Sequence, residues 1–202
     1  VEHDNAPAIA LYREEGFYHQ RTWVTWRSPA YLSAPARARA VCADRESLPV
    51  ERARGSEWRA LSGLARLARP SGLGWMRSAA PHAFRPSLCR ALGNLLSGRH
   101  EERYVMRDPG GRVTAALFIE VALGRPADRL TLLVHPGQRG RLEQPLLEFA
   151  LRRLEGRRKA VVIEHPQDDD AGSAALAALQ FESRRTLAHM RHDLGFAREE
   201  VL

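Results

Sequence analysis

The apolar positions of this chain repeat with two different periods. Leu130-Thr-Leu-Leu-Val134 is a short, nearly unbroken apolar run closed by Pro136 and Gly137, the pattern of a strand covered on both faces. From Leu142 the spacing becomes helical: Leu142, Leu146, Phe149 and Ala150 share one face, widened by Leu147, Leu151 and Leu154, which predicts a helix over 142–154. Ala160-Val-Val-Ile163 is a second buried strand, 171–179 a short Ala/Leu helix, and Phe181 to Asp193 a last strand.

Upstream, Arg103 to Arg107 reads as a strand, Asp108-Pro-Gly-Gly111 as a hairpin turn, and Val113 to Val121 as the returning strand. Two earlier helices are expected. One begins at Ser56 as N-cap, with Trp58, Leu61, Leu64, Ala65 and Ala68 on one face; the other covers Pro86 to Leu96. At the start, Asp4 or Asn5 caps a helix that tolerates Pro7 in its first turn and stops at Gly16. Phe17 to Trp26 follows as a strand rich in Thr, Val and Trp.

Composition changes the picture only a little. The length, 202 residues with 44% hydrophobic, suits one domain and part of another. Net charge is +7, which raises the question of a nucleic-acid partner. The 31 basic residues are all arginine except Lys159, are spread along the chain, and are mixed with 24 acids. No basic aromatic stripe or zinc-finger spacing accompanies them, which argues against that partner. Cys42 and Cys89 are far apart and form no Cys-x-x-Cys, so reduced thiols and a cytoplasmic location are expected. No apolar run approaches the roughly 18 residues of a membrane span. His189 and His192 lie at odd spacing on one strand and do not make a metal pair.

Two stretches carry candidate chemistry. Gln138-Arg-Gly-Arg141 lies between the apolar strand and the 142–154 helix. Unpaired N–H groups and a partial positive charge at such a helix mouth favour a phosphate or another anion. The second stretch is Asn5-Ala-Pro-Ala-Ile-Ala-Leu11-Tyr12-Arg-Glu-Glu-Gly16-Phe17.

Together these stretches resemble the GNAT acyltransferases. The first is similar to that family's pyrophosphate loop, Val-x-Pro followed by Gln/Arg-x-x-Gly-x-Gly/Ala. The second is similar to its Asn-x-x-Ala-x-x-Leu-Tyr-x-x-x-Gly-Phe signature. The resemblance implies a GNAT-like α/β fold, a mixed sheet with helices on both faces. It implies acetyl transfer from acetyl-CoA to an amine acceptor that the sequence does not identify. It also implies roles: Asn5 against the pantetheine arm, Tyr12 as the acid that protonates the CoA thiolate, and Val134, Arg139, Gly140 and Arg141 at the pyrophosphate. A phenol suits that task because thiol and phenol pKa values are comparable, about 8.5 and 10. The loop departs from the pattern where Arg141 and Glu143 replace its two glycines; side chains there obstruct close backbone approach, and a carboxylate repels a pyrophosphate. The plain alternatives are a capping Asn5, a packing Tyr12 and solvated arginines.

The end of the chain also repeats its beginning. Val1-Glu2-His3 matches Ile163-Glu164-His165, and Phe17-x-x-x-Arg21-Thr22 matches Phe181-x-x-x-Arg185-Thr186, with two extra residues absorbed within 166–170. The simplest organisation is therefore the end of one GNAT-like copy (1–29), a linker (30–36), a complete second copy (37–194) and a tail (195–202). The second copy has Gln180 in place of Gly16, Leu176 or a neighbour in place of Tyr12, and no Asn matching Asn5. It is expected to keep the fold without the chemistry, and most of the working copy would lie before Val1. A non-catalytic binding domain is the alternative for the whole, with a basic nucleic-acid module behind it.

Overall fold

The computed structural model describes residues 1–28, 49–69, 84–87, 93, 94 and 96–192. The start of the expected second copy, the linker, the tail and most of the expected helix 86–96 lie outside them. In chain order the elements are α1 (Ala6–Glu14), β1 (Tyr18–Ser28), β2 (Glu51–Arg52), α2 (Trp58–Ala68), β3 (Arg99–Arg107), β4 (Val113–Ala122), β5 (Ala127–Val134), α3 (Glu143–Arg153), β6 (Ala160–Pro166), α4 (Asp170–Ala178) and β7 (Glu182–Arg191).

The strands form one seven-stranded sheet in the order β2-β3-β4-β5-β6-β1-β7. Every neighbouring pair is antiparallel except β5 and β6, which run parallel. Side chains alternate across the central strands, so each feeds two cores. Ala115, Leu117 and Ile119 of β4 and Leu130, Leu132 and Val134 of β5 pack with α3 and α4. Ala116, Phe118 and Leu133 pack on the opposite face with Leu61, Leu64, Ala65 and Ala68 of α2. This two-sided burial is what the apolar run at 130–134 predicts.

Local signals act where expected, with one correction. The β3–β4 hairpin closes on Asp108, whose carboxylate accepts the Arg112 N–H at 2.9 Å, with Gly111 at φ +79°. Asn5 caps α1 by accepting the Ala8 N–H at 3.1 Å. Ser56, however, is not the cap of α2. It falls inside a 3-10 turn, Gly55–Glu57, and the cap position passes to Glu57. The Glu57 side chain accepts the Arg54 N–H at 2.6 Å and also holds Arg107 at 2.7 Å. A long carboxylate that reaches both partners displaces the short serine cap.

The sheet continues through the expected copy boundary. β1, which the sequence repeat would assign to a first copy, lies between β6 and β7, with Trp26 opposite Ile163 on one side and Trp23 opposite Leu187 on the other. No helix among the described residues is long and apolar enough to cross a membrane.

Candidate functional site

β5 and β6 pair only from Ala127 and Ala160 to Leu130 and Ile163. Beyond that point β5 runs on to Val134 and β6 to Pro166, and their facing edges part. Parallel strands that separate in this way leave backbone groups unpaired in the interior, and such groups need partners. The sequence elements expected to hold a ligand border this gap. Val134 ends β5 in the core at 5% exposure, a 3-10 turn spans Pro136–Gln138, and Gly140 takes φ +80° just before α3.

The anion cradle is filled by the protein's own side chain. Glu143, in the first turn of α3, folds back so that its Oε2 accepts the Gly140 N–H at 2.8 Å. It is 1% exposed, and its Oε1 is buried without a hydrogen-bond partner. An internal carboxylate thus takes the N–H that the resemblance assigns to a pyrophosphate. Burial raises the Glu143 pKa, and the nearby Asp169 charge adds to the rise; backbone N–H donors oppose both. Arg141 is exposed at the rim.

Arg139 lies across the gap. Its Nη2 donates to the Ala68 carbonyl at the end of α2 (3.4 Å), and its Nε approaches Asp169 at 3.9 Å. Asp169 caps α4, with its Oδ1 accepting the Gly172 N–H at 3.2 Å and its Oδ2 lying 3.2 Å from His165 Nε2. Burial works against the charged form of Asp169, but His165, the Gly172 N–H and Arg139 outweigh it and hold its pKa below the usual carboxylate value. His165 is 3% exposed. A Cβ added to Gly172 would sit 2.0 Å from its ring, so only glycine lets the ring lie against the first turn of α4.

These two carboxylates impose opposite pH dependences, and the sign of each follows from linkage. Asp169, with a depressed folded pKa, contributes stability that is present above its unfolded value and is lost as pH falls through the folded one. Glu143, with a raised folded pKa, contributes stability that is full below the unfolded value and is lost as pH rises through the folded one. Near neutrality Glu143 is therefore a burden. Glu143→Gln keeps an oxygen for the Gly140 N–H and removes the charge. The variant is expected to match or exceed the parent in urea midpoint at pH 7, with the difference shrinking toward pH 4.5. A variant less stable at pH 7 would show that the ionised carboxylate supports the fold.

On the α2 side of the gap, Arg69 reaches the free edge of β5. Its Nη2 donates to the Leu132 carbonyl at 3.0 Å, and its guanidinium stacks over Trp23 at 4.9 Å. Arg69 is 6% exposed and Trp23 is 4% exposed. Beside them lies a pocket of about 250 Å³ whose walls include Glu120, Arg129, Glu164 and Arg185. Burial raises the Glu164 pKa, and Arg129, Arg69 and Arg185 partly oppose the rise. Glu120 of β4 stands opposite Arg129 of β5 in the ladder.

Asn5 and Tyr12 are on the far side of β1 and β7, on a helix with no buried residue. Asn5 spends its side chain on the cap. Tyr12 is 41% exposed and meets Phe17 edge-on at 5.4 Å between ring centres. The site residues expected from sequence thus fall into two groups. Val134, Arg139, Gly140 and Arg141 gather at the β5–β6 gap, while Asn5 and Tyr12 sit apart from them. The repeat is more complete than the sequence comparison gave. Asp169 holds the cap equivalent to Asn5, Leu176 the place of Tyr12, and Gln180, at φ +60°, the place of Gly16 at φ +83°. Among the described residues, no group of three or more His, Cys, Asp or Glu gathers as a metal site. Arg69 carried no sequence signal and His165 only its place in the repeat, whereas Asp169 was findable by extending the repeat across the two-residue insertion.

A mixed sheet opening between two parallel strands beside a helix mouth is the GNAT acyltransferase fold, and this chain has it. It is similar to a tandem GNAT protein from the clavulanic acid biosynthesis pathway at 20% identity, covering 93% of this chain and 58% of that one with a TM-score of 0.55. It also resembles a GCN5-related N-acetyltransferase from Sphaerobacter thermophilus at 13% identity, covering 95% of this chain and 57% of the other, TM-score 0.55. An acetyltransferase of the GNAT family from Colwellia psychrerythraea matches at 14% identity, covering 92% of this chain and 62% of its own length, TM-score 0.52. This chain thus spans less than two thirds of each of these three structures. No family model and no curated protein matches by sequence.

Proposed function

We propose that this chain is part of a tandem GNAT-type N-acyltransferase in which the copy built from residues 37–194 does not catalyse. The acyl donor in this reading is acetyl-CoA, the acceptor is an amine, and the location is cytoplasmic. The observation that carries it is the contrast between two repeat-equivalent positions: Tyr12 presents a phenol on an uncovered helix, while Leu176 is 0% exposed in a closed core.

In the catalytic copy the acceptor nitrogen attacks the thioester carbonyl, a C–N bond forms, and a backbone N–H on the splayed strand stabilises the oxyanion. The C–S bond then breaks, the Tyr12 hydroxyl protonates the departing thiolate, the acceptor's surplus proton leaves to solvent, and the Tyr12 phenolate regains a proton from solvent. In the second copy the corresponding space is taken by Glu143 on the Gly140 N–H, by Arg139 between Ala68 and Asp169, and by Arg69 on the Leu132 carbonyl. A pyrophosphate approaching Gly140 would have to displace a buried carboxylate of its own sign.

Calorimetry of this chain with CoA tests the second-copy reading, and no saturable heat is expected. Binding at micromolar CoA, lost in Arg139→Ala, would make Arg139 and Arg141 phosphate ligands and overturn it. For the enzyme reading the measurement is thiol release from acetyl-CoA by the longer protein with a panel of amines. A protein that releases no thiol with any of them would leave the non-catalytic alternative in its place.

A further inference from the structure

We propose that the pocket on the α2 face of the sheet binds a small zwitterion of the amino-acid class, its ammonium on Glu164 and its carboxylate on Arg185, in a role separate from acyl transfer. Strand alternation collects the charges there. Phe118 of β4 and Leu133 of β5 pack toward α2, so Glu120 and Arg129, at even steps from them, share that face. Ile163 of β6 packs toward α3, which turns Glu164 to the α2 side.

The ladders arrange these side chains in two rows. In one, Glu120 stands opposite Arg129, so opposite charges are matched on adjacent strands. In the other, Glu164 stands opposite Thr25, and Thr25 stands opposite Arg185. Two strand spacings, roughly 10 Å, therefore separate the Glu164 and Arg185 backbones. A short side chain lies between two long ones of opposite sign, and all three line the pocket of about 250 Å³.

Both ends of the second row have unused capacity. Among the described residues the Glu164 carboxylate makes no hydrogen bond or ion pair. Burial works against its charge, and Arg129, Arg69 and Arg185 relieve that only in part. Arg185 spends its Nε on Glu2 at 3.0 Å, in a pair exposed on both sides, and its two terminal nitrogens take no acceptor among the described residues. An unpaired, partly buried carboxylate favours an ammonium, and a guanidinium fork favours a carboxylate. A lone amine would meet the three guanidiniums around Glu164, and a lone carboxylate would meet Glu164 itself. One molecule carrying both groups answers both ends of the row. The volume falls below the roughly 300–1,000 Å³ of pockets for drug-sized ligands, which suits a molecule of amino-acid size.

Arg69 stands between this pocket and the β5–β6 gap. It lines the pocket and donates to the Leu132 carbonyl on the free edge of β5. On the non-catalytic reading of this copy, the ligand is thus held and not acylated.

Thermal unfolding of the chain with each standard amino acid at millimolar concentration finds the best ligand. Calorimetry then compares it with the amine that lacks its carboxylate and the acid that lacks its amine; for leucine these are 3-methylbutylamine and 4-methylpentanoate. Each analogue is expected to bind at least about 10-fold more weakly, the size of one lost charge-assisted hydrogen bond. Glu164→Gln should lower affinity for the amino acid and the amine and leave that for the acid unchanged, and Arg185→Gln should do the converse. A purely structural role for either residue would lower all three together. No shift with any amino acid, an analogue that binds as tightly as its parent, or variants without the crossed pattern would overturn the proposal. Micromolar CoA binding alongside amino-acid binding would count against the non-catalytic reading and leave the pocket standing, whereas a chain that binds neither would sink the pocket alone.

Discussion

If this chain belongs to the tandem acyltransferase proposed above, Tyr12→Phe in that protein is expected to lower kcat with acetyl-CoA by about 100-fold or more, the usual size of a lost general acid. The ring itself should stay in place. Its edge-on contact with Phe17 at 5.4 Å involves the carbons and not the hydroxyl. In the proposed role the hydroxyl acts only as the thiolate departs, so kcat and kcat/KM should fall together while KM for acetyl-CoA changes little. Stopped assays of thiol release and amide formation measure both. A packing role predicts the reverse: unchanged kcat, and a small stability loss that Phe mostly repairs. Unchanged turnover over the working pH range would remove Tyr12 from the mechanism. The mirror substitution is informative as well. Leu176→Tyr adds a hydroxyl to a position that is 0% exposed, and it should destabilise the second copy without creating activity.

The largest effect on stability is expected from Arg157→Ala. Asp128 begins β5 at 1% exposure, and Arg157, in the turn after α3, grips it through two hydrogen bonds of 2.7 and 3.3 Å. Without Arg157 a buried carboxylate has lost its counter-charge, which costs about 3–5 kcal/mol for a fully buried pair. The Arg157 side chain is 35% exposed, so water can partly replace it and the loss should fall near about 3 kcal/mol. Asp128 pairs with Val161 at the closed end of the parallel ladder, so the loss is expected to loosen the β5–β6 pair from that end. Urea unfolding of the parent and variant at pH 7 measures it. Adding Asp128→Asn to the variant should recover part of the loss, because the residual cost is an unpaired charge. A loss below about 1 kcal/mol would mean that the bridge behaves as a surface ion pair.

Much of the fold was legible in the chain because it rests on local periodicity. Leu130 to Val134 alternates toward two cores, and a run apolar at every second position on both faces has few other ways to be buried. Leu142 to Leu154 gave α3 to within a residue at each end, since its stripe is continuous and Pro145 is tolerated in a first turn. Gly16, at φ +83°, marked the end of α1 because side chains rarely adopt that conformation. Gln180 takes the same turn at φ +60°, a strained choice that glycine-based punctuation does not register.

The candidate site was only half legible, because its meaning depends on contacts between residues distant in sequence. Glu143 read as a carboxylate that would repel a phosphate. Its side chain goes further and accepts the N–H in the cradle itself. Arg69 stands 63 positions from the Leu132 carbonyl it binds, and no periodicity or motif signals such a pair. His165 gave no hint of lying over Gly172.

By itself, then, the sequence determined the order of strands and helices, the two apolar faces of the central sheet and the existence of a repeat, because all three follow from the spacing of side chains along one chain. Only the tertiary structure decided that β1 lies between β6 and β7 in one sheet, that the parallel gap is filled from within by Glu143, Arg139 and Arg69, and that α1 buries no residue while α4 does. Those outcomes turn on which strand edges find partners and which buried polar groups find counter-charges, and both are settled between segments rather than within them.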